Sequence, residues 1–236
     1  MRLTLCQAIV PALAALLAVA RADDSTSALA SDPAGWADLA ASGGPTFQGW
    51  SRGPIPPNGK ALGPVTPSQW SLDPDTGHVR CRGNGPHEWI RWNTEVADGI
   101  LHVEWRFTPV VSGKTAYNSG MYVRNSADAR VWHQGQTGGG RDGYLFGESP
   151  ADHSGDPSGK LAFFNLAKER ASNREKPAGE WNTFEITFKG PELTLWVNGA
   201  VVNVFPHCGL PRGYVGLEAE GYEIEFRNVK LKTLKP

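Results

Sequence analysis

Glu218 and Glu220 stand two residues apart in GYVGLEAEG, Gly213 to Gly221, with Val215, Leu217 and Ala219 at the alternate positions. In an extended strand this spacing puts both carboxylates on one face, together with Tyr214. Two ionised carboxylates so placed repel each other, and one pKa should rise unless a cation lies between them. A carboxylate with a raised pKa makes an effective general base. One of the two is therefore a candidate base, and the other the group that tunes it.

Three other segments carry chemistry on one face. In Val131–Gln136, Trp132, Gln134 and Gln136 alternate with Val131, His133 and Gly135. An indole beside two amides suits a sugar, whose C–H faces pack on the ring while its hydroxyls bond the amides. His133 falls on the Val131 side, where an interior histidine is the plainer reading. In Tyr117–Arg124, Met121 and Val123 face a core and Asn118, Tyr122 and Arg124 the opposite side. Gly120 marks a close backbone approach or a bulge. In Leu101–Phe107, Leu101, Val103, Trp105 and Phe107 share one face and His102, Glu104 and Arg106 the other. The bland alternative for that last face is a solvated cross-strand ion pair. For Asn118 it is a turn, and for Arg124 a surface charge.

Metal chemistry has little support in the spacing. His78, His87, His102, His133, His153 and His207 show no paired-ligand interval, so no zinc site is legible. A calcium-like divalent ion bridging Glu218, Glu220 or Asp142 stays open, although no loop motif for one is present. Nucleophile-elbow, P-loop and dinucleotide fingerprints are absent from the sequence.

Strands must position these residues. Phe184, Ile186 and Phe188 alternate with polar neighbours, as do Leu193, Leu195 and Val197. Asn198-Gly199 between them and Ala200–Val204 signals a hairpin, because a type I′ turn needs positive φ at both central positions. Further strands are expected at Gln69–Leu72, His78–Arg82, Glu88–Trp92, Ile100–Phe107, Gly120–Arg124, Arg130–Gln134, Tyr144–Phe146, Tyr214–Glu218 and Glu223–Lys232. The Pro- and Gly-rich stretch Ser51 to Pro67 is expected to lack regular structure, and one helical turn is expected around Phe164 to Arg170. Trp89 and Trp92 are expected to be packing residues. Many short strands with turn-rich joints make an antiparallel two-sheet sandwich or barrel.

Some of these segments are also familiar as a set. WNTFEITFKG, LWVNG, YNSGMYVR and GLEAEGYEIEFRNVKL resemble the 3-keto-disaccharide hydrolase domain family, over about Trp36 to Leu234. The resemblance implies an all-β jelly-roll of the concanavalin A-like type, with a cleft on one concave sheet. It also implies cleavage of 3-keto-glycosides by C2 proton abstraction, followed by elimination or hydrolysis at the glycosidic bond. Glu220 stands where the family commonly has His and Glu218 where it has Gln, while Trp132 stands where it has Glu. On that basis Glu220, Glu218 and Glu104 are the expected catalytic carboxylates. Asn118, Arg124 and Arg106 would steady the developing enolate, and Trp132, Gln134 and Tyr122 would hold the sugar. A non-catalytic glycan-binding module of the same fold is the second reading. An ordinary glycosidase is the third, since the usual Glu-x-Asp-x-x-Glu strand is absent.

Composition bounds the rest. Residues 1–22 read as a secretory signal: Arg2, an apolar run from Ala8 to Val19, then Ala20-Arg21-Ala22 before Asp23. The run is too short to span a bilayer. Cleavage there predicts a secreted or periplasmic protein, with a flexible lead-in over 23–35 and one domain over 36–236. The remaining chain would hold 21 Lys and Arg against 24 Asp and Glu, with no basic run, which disfavours nucleic acid and anionic membrane. A small carbohydrate is the expected partner, and the oligomeric state is not fixed by the sequence. Cys81 and Cys208 could pair in an oxidising compartment or remain two buried thiols.

Overall fold

The computed structural model describes residues 25–57, 62–140, 142–151, 156 and 158–235; the signal sequence expected over 1–22 lies outside them. Two antiparallel sheets face each other. The strands are β1 (Ala37–Asp38), β2 (Trp50–Pro54), β3 (Trp70–Leu72), β4 (Val79–Cys81), β5 (Glu88–Trp92), β6 (Gly99–Phe107), β7 (Ser119–Asn125) and β8 (Trp132–Thr137). They continue as β9 (Tyr144–Pro150), β10 (Leu161–Asn165), β11 (Asn182–Lys189), β12 (Glu192–Val197), β13 (Ala200–Phe205), β14 (Tyr214–Ala219) and β15 (Ile224–Thr233). The eight-stranded sheet runs β13-β12-β11-β6-β15-β4-β3, with β1 pairing on β15; the seven-stranded sheet runs β10-β9-β8-β7-β14-β5-β2.

Alternation builds the core as parity requires. Leu101, Val103, Trp105, Phe107, Met121, Val123, Phe184, Ile186, Leu195, Val197 and Leu217 are all buried in one cluster between the sheets. Each such side chain contributes about 1.5–3 kcal/mol of transfer free energy. The hairpin turn forms at Asn198 (φ 43°) and Gly199 (φ 108°), both on the left-handed side as a primed turn demands.

Three local expectations fail. Phe164 to Arg170 begins not as a helical turn but as the end of β10, whose Phe164 ring stacks on Phe205 at 3.7 Å. Part of the Ser51 to Pro67 stretch is strand: β2 pairs with β5, Ser51 opposite Arg91 and Gly53 opposite Trp89. Pro54 is tolerated because β2 is an edge strand.

The lead-in is also tied down over its described part. Ser27 caps a short helix, α1 (Ala28–Ser31), by accepting from the Ala30 amide. Glu185 accepts from the Ala28 and Leu29 amides at 2.6 and 3.0 Å, and Lys232 pairs with Asp32. The segment lies across the outer face of the eight-stranded sheet, where the Trp36 ring meets His102 edge-on.

Cys81 and Cys208 do not pair: both are free and buried. Cys81 lies on β4, in the eight-stranded sheet, with burial pushing its thiol up to about 12. Cys208 follows β13 and sits 3.6 Å from His133 Nε2. Burial raises the pKa of both thiols, which makes them poor nucleophiles.

Candidate active site

A cleft of about 470 Å³ opens on the outer face of the seven-stranded sheet. Its floor is built by parity. Tyr122 on β7, Gln134 and Gln136 on β8 and Glu218 on β14 point away from Met121, Leu217 and the rest of the core. The register sets Tyr122 directly opposite Gln134, and Gly120 opposite Gln136. Gly120 matters because a Cβ there would lie 2.0 Å from Gln134 Nε2. Its missing side chain lets the Gln134 amide lie across β7 and reach β14.

Glu218 is the hub. It is 2 % exposed, and one of its oxygens accepts from Tyr122 Oη at 2.5 Å and from His87 Nε2 at 2.8 Å. The other accepts from Gln134 Nε2 at 2.6 Å. His87 is taken as the donor because an ionised carboxylate only accepts. The amides continue outward: Gln134 donates to Gln136 Oε1 at 2.9 Å, and Gln136 to Asn118 Oδ1. A buried carboxylate with three donors has its hydrogen-bonding capacity met.

Glu220 is different. It stands at the cleft wall, 36 % exposed, with one oxygen 3.7 Å from His87 Nε2. Burial raises its pKa first, and the Glu218 charge raises it further, against a smaller opposing pull from His87. Desolvation alone would lower the pKa of His87, but the hydrogen bond it donates to Glu218 and the charges of both glutamates outweigh it and raise the value. Tyr122 is pushed well above the ordinary phenol value, by burial and then by the Glu218 charge. The site thus sets a carboxylate of raised pKa beside a histidine whose pKa is also raised.

One ligand atom from each of His87, Glu218 and Glu220 lies within 4.8 Å of the other two, a spacing at which one divalent ion could be shared. The nitrogen-plus-carboxylate donor set suits a transition metal better than calcium. Asp142 is not part of this group; its amide donates to Glu175 instead.

Of the residues expected from the sequence, Asn118, Tyr122, Trp132, Gln134, Glu218 and Glu220 all line this cleft. Three do not. Glu104 and Arg106 lie on β6, in the other sheet, and face its far side. Glu104 bonds Arg227 and Asn228, and its pKa falls to about 2 through His102 first and then these two partners. Arg106 pairs with Glu225 at 2.8 Å and lies 4.6 Å over the Trp181 ring. Strand parity had their face right but could not say which sheet they occupy.

Arg124 fails for another reason. Tyr214 pairs with Asn125 but Gly216 with Tyr122, so β7 carries one extra residue opposite Val215. This bulge, with Arg124 at φ 49°, turns its side chain off the cleft face. The guanidinium is 1 % exposed and donates to Ala97 O, Leu210 O and Asp98 Oδ1 at 2.8, 3.0 and 2.7 Å. It ties loops together and has no access to the cleft.

His87 was the residue missed. Its signal was available: two positions before Trp89, it shares that residue's face on the approach to β5. Trp89 itself is buried, edge-on to Tyr122 at 5.5 Å, and Trp92 packs against Trp50, so both are packing residues as expected. His133 is interior as expected, bonded to Ser149 Oγ and the Arg124 carbonyl, with burial taking it down to about 4. Ile55, Pro56, Pro57, Ala129 and Phe146 complete one wall, with Arg130 and Glu148.

Comparison with known proteins agrees with this architecture. A candidate glycosyl hydrolase from Parabacteroides distasonis superposes with a TM-score of 0.59 at 17% identity, over 90% of this chain and 100% of that one. The carbohydrate-binding module CBM66 from Bacillus subtilis superposes at 0.53 with 13% identity, over 78% of this chain and 96% of that one. At such identities the likeness is one of fold. No curated protein matches in sequence. Among the described residues, no helix is long and apolar enough to cross a membrane. Residues 39–232 match the family described as the 3-keto-alpha-glucoside-1,2-lyase-like domain, and the chain belongs to that family.

Proposed function

We propose that the protein is an exported enzyme that cleaves 3-keto-glycosides, with Glu220 as the base that removes the proton from C2. The observation that carries this reading is the contrast inside the cleft: Glu218 saturated by three donors, Glu220 beside it with a raised pKa. A ketone at C3 acidifies the C2 hydrogen, so one base and one group that stabilises the enolate are sufficient chemistry. His87 supplies that positive charge, the part expected of Arg124 and Arg106. Glu218 holds His87 protonated and oriented and does not itself donate a proton. Gln134, Gln136 and Asn118 present amides to the sugar hydroxyls. A divalent ion shared by His87, Glu218 and Glu220 would add Lewis-acid polarisation of the ketone. Export is supported by the leader-like pattern of residues 1–22.

The second reading is a glycan-binding module. The fold shared with CBM66 and the half-buried Trp132 at the cleft wall favour it. Incubation of purified protein with 3-keto-glucosides and with their unoxidised parents separates the two. Release of the aglycone from the keto forms alone is expected. Binding of both without turnover of either would overturn the enzymatic reading.

A further inference from the structure

The cleft has two unlike ends. At one, Gln134, Glu218 and His87 meet with the outer amides. At the other, Ile55, Pro56, Pro57, Ala129, Trp132 and Phe146 form a mostly apolar wall, with Arg130 and Glu148 beside it. Ala129, Ile55 and Trp132 belong to a small apolar cluster with Trp89 and Tyr122, separate from the main core and on the outer side of the sheet. The Trp132 and Phe146 rings stand edge to face at 4.8 Å, with Tyr144 packed behind Phe146 at 5.5 Å. Register explains the division. Trp132 lies one pleat beyond Gln134 on β8, and Phe146 on β9 pairs directly with Gln134. The polar row and the aromatic row are therefore neighbours on one surface.

Resting on the reaction proposed above, we infer that the leaving group is aromatic: the substrate is the 3-keto form of an aryl glycoside, its aryl ring held against Trp132 and Phe146. A second sugar in that place would pack one C–H face on a ring, but its hydroxyls would meet more apolar surface than polar partners. An aryl ring meets two rings already arranged as aromatic contacts prefer. Arg130 and Glu148, at the same wall, would meet a polar substituent on the ring.

The chemistry agrees. Glu220 takes the C2 proton, the C1–C2 double bond forms, and the C1–O bond breaks with its electron pair passing to the aryl oxygen. A phenolate is stable enough to depart as the anion and collect a proton from water. That relieves the site of a strong acid, and the buried carboxylate is fully engaged as an acceptor.

The test compares the 3-keto form of 4-nitrophenyl glucoside with the 3-keto form of a glucosyl-glucose disaccharide, on wild type and on Trp132→Ala and Phe146→Ala. The aryl substrate is expected to lead by at least about tenfold in kcat/KM. Each variant is expected to lose roughly 10–100-fold on the aryl substrate and a clearly smaller factor on the disaccharide. Equal or better turnover of the disaccharide, or equal losses on both, would overturn the inference and leave the proposed reaction standing. If neither is turned over, the reaction fails and binding decides. At least about tenfold tighter binding of 4-nitrophenyl glucoside than methyl glucoside, abolished by Trp132→Ala, keeps the aryl subsite; equal binding removes it.

Discussion

The two outer faces of the sandwich use the same residue types to opposite ends. On the eight-stranded sheet, Glu104 meets Arg227, Glu225 meets Arg80 and Arg106, and Glu185 meets His102 and two amides of α1. All three carboxylates end below their ordinary pKa despite partial burial. On the seven-stranded sheet, Glu218 and Glu220 share one histidine, and Glu220 ends above its ordinary value. The lesson concerns supply of cations. Glu104 and Glu185 also share one histidine, His102, but Arg227 and the α1 amides add further donors, and the row of charges holds a surface together. Where two acids share one histidine and no arginine among the described residues joins Glu220, the mismatch leaves a group poised to exchange a proton.

Neutralising one acid on each face is expected to have the largest and most unequal effects. Glu220→Gln is expected to lower kcat on a 3-keto-glucoside by roughly 10²–10⁴, the usual loss of a general base. Glu104→Gln, assayed beside it, should stay within about threefold of wild type. Equal losses in the two variants would mean that charge alone, and not position, governs turnover.

Arg124 tests the boundary between the faces. Replacing it with Met leaves Asp98 and the carbonyls of Ala97, Gly190 and Leu210 without their donor, an expected cost of about 3–5 kcal/mol by urea titration. The protein that remains folded should keep its kcat/KM. A variant of normal stability but reduced turnover would return Arg124 to the site.

The smallest expected effect is in pH and stability, and its sign differs between the faces. Glu104 is depressed from 4.5 to about 2 when folded, so its contribution is present above pH 4.5 and fades as pH falls towards 2. Glu220 is raised from 4.5, so its contribution is present below that value and fades as pH rises through its folded pKa. At neutral pH Glu104→Gln should therefore lower stability by about 1 kcal/mol or less, as a partly exposed pair allows. Glu220→Gln should raise it slightly. Thermal melts across pH 2–8 read both, and shifts of the same sign would contradict the contrast.

Much of this was legible in the sequence. Alternation placed every residue of the expected core, and Asn198-Gly199 placed its hairpin, because both are local signals. The cleft floor was legible too: Trp132, Gln134, Tyr122, Glu218 and Glu220 all face where parity sent them. What failed was long-range. Nothing in Leu101–Phe107 says that β6 pairs with β11 and β15 and not with β7. Arg124 was lost to one extra residue opposite Val215, which alternation cannot register. His87 escaped because its partners are 131 and 133 positions away. Strand β10 was missed because its Phe163 is exposed on an edge, so the usual alternation into a core is weak there.

The place of β15 in the eight-stranded sheet has a consequence for how the molecule assembles. This strand, Ile224–Thr233, follows every other strand in sequence yet sits between β6 and β4. A chain made from its N-terminus presents both neighbours early, and each must wait with a row of unpaired amides and carbonyls. Such edges template association with other chains. Closure of the sheet is therefore a late, non-local event, of the kind that slows folding. Refolding yield should fall as protein concentration rises, and a peptide matching β15 would compete for the vacant slot.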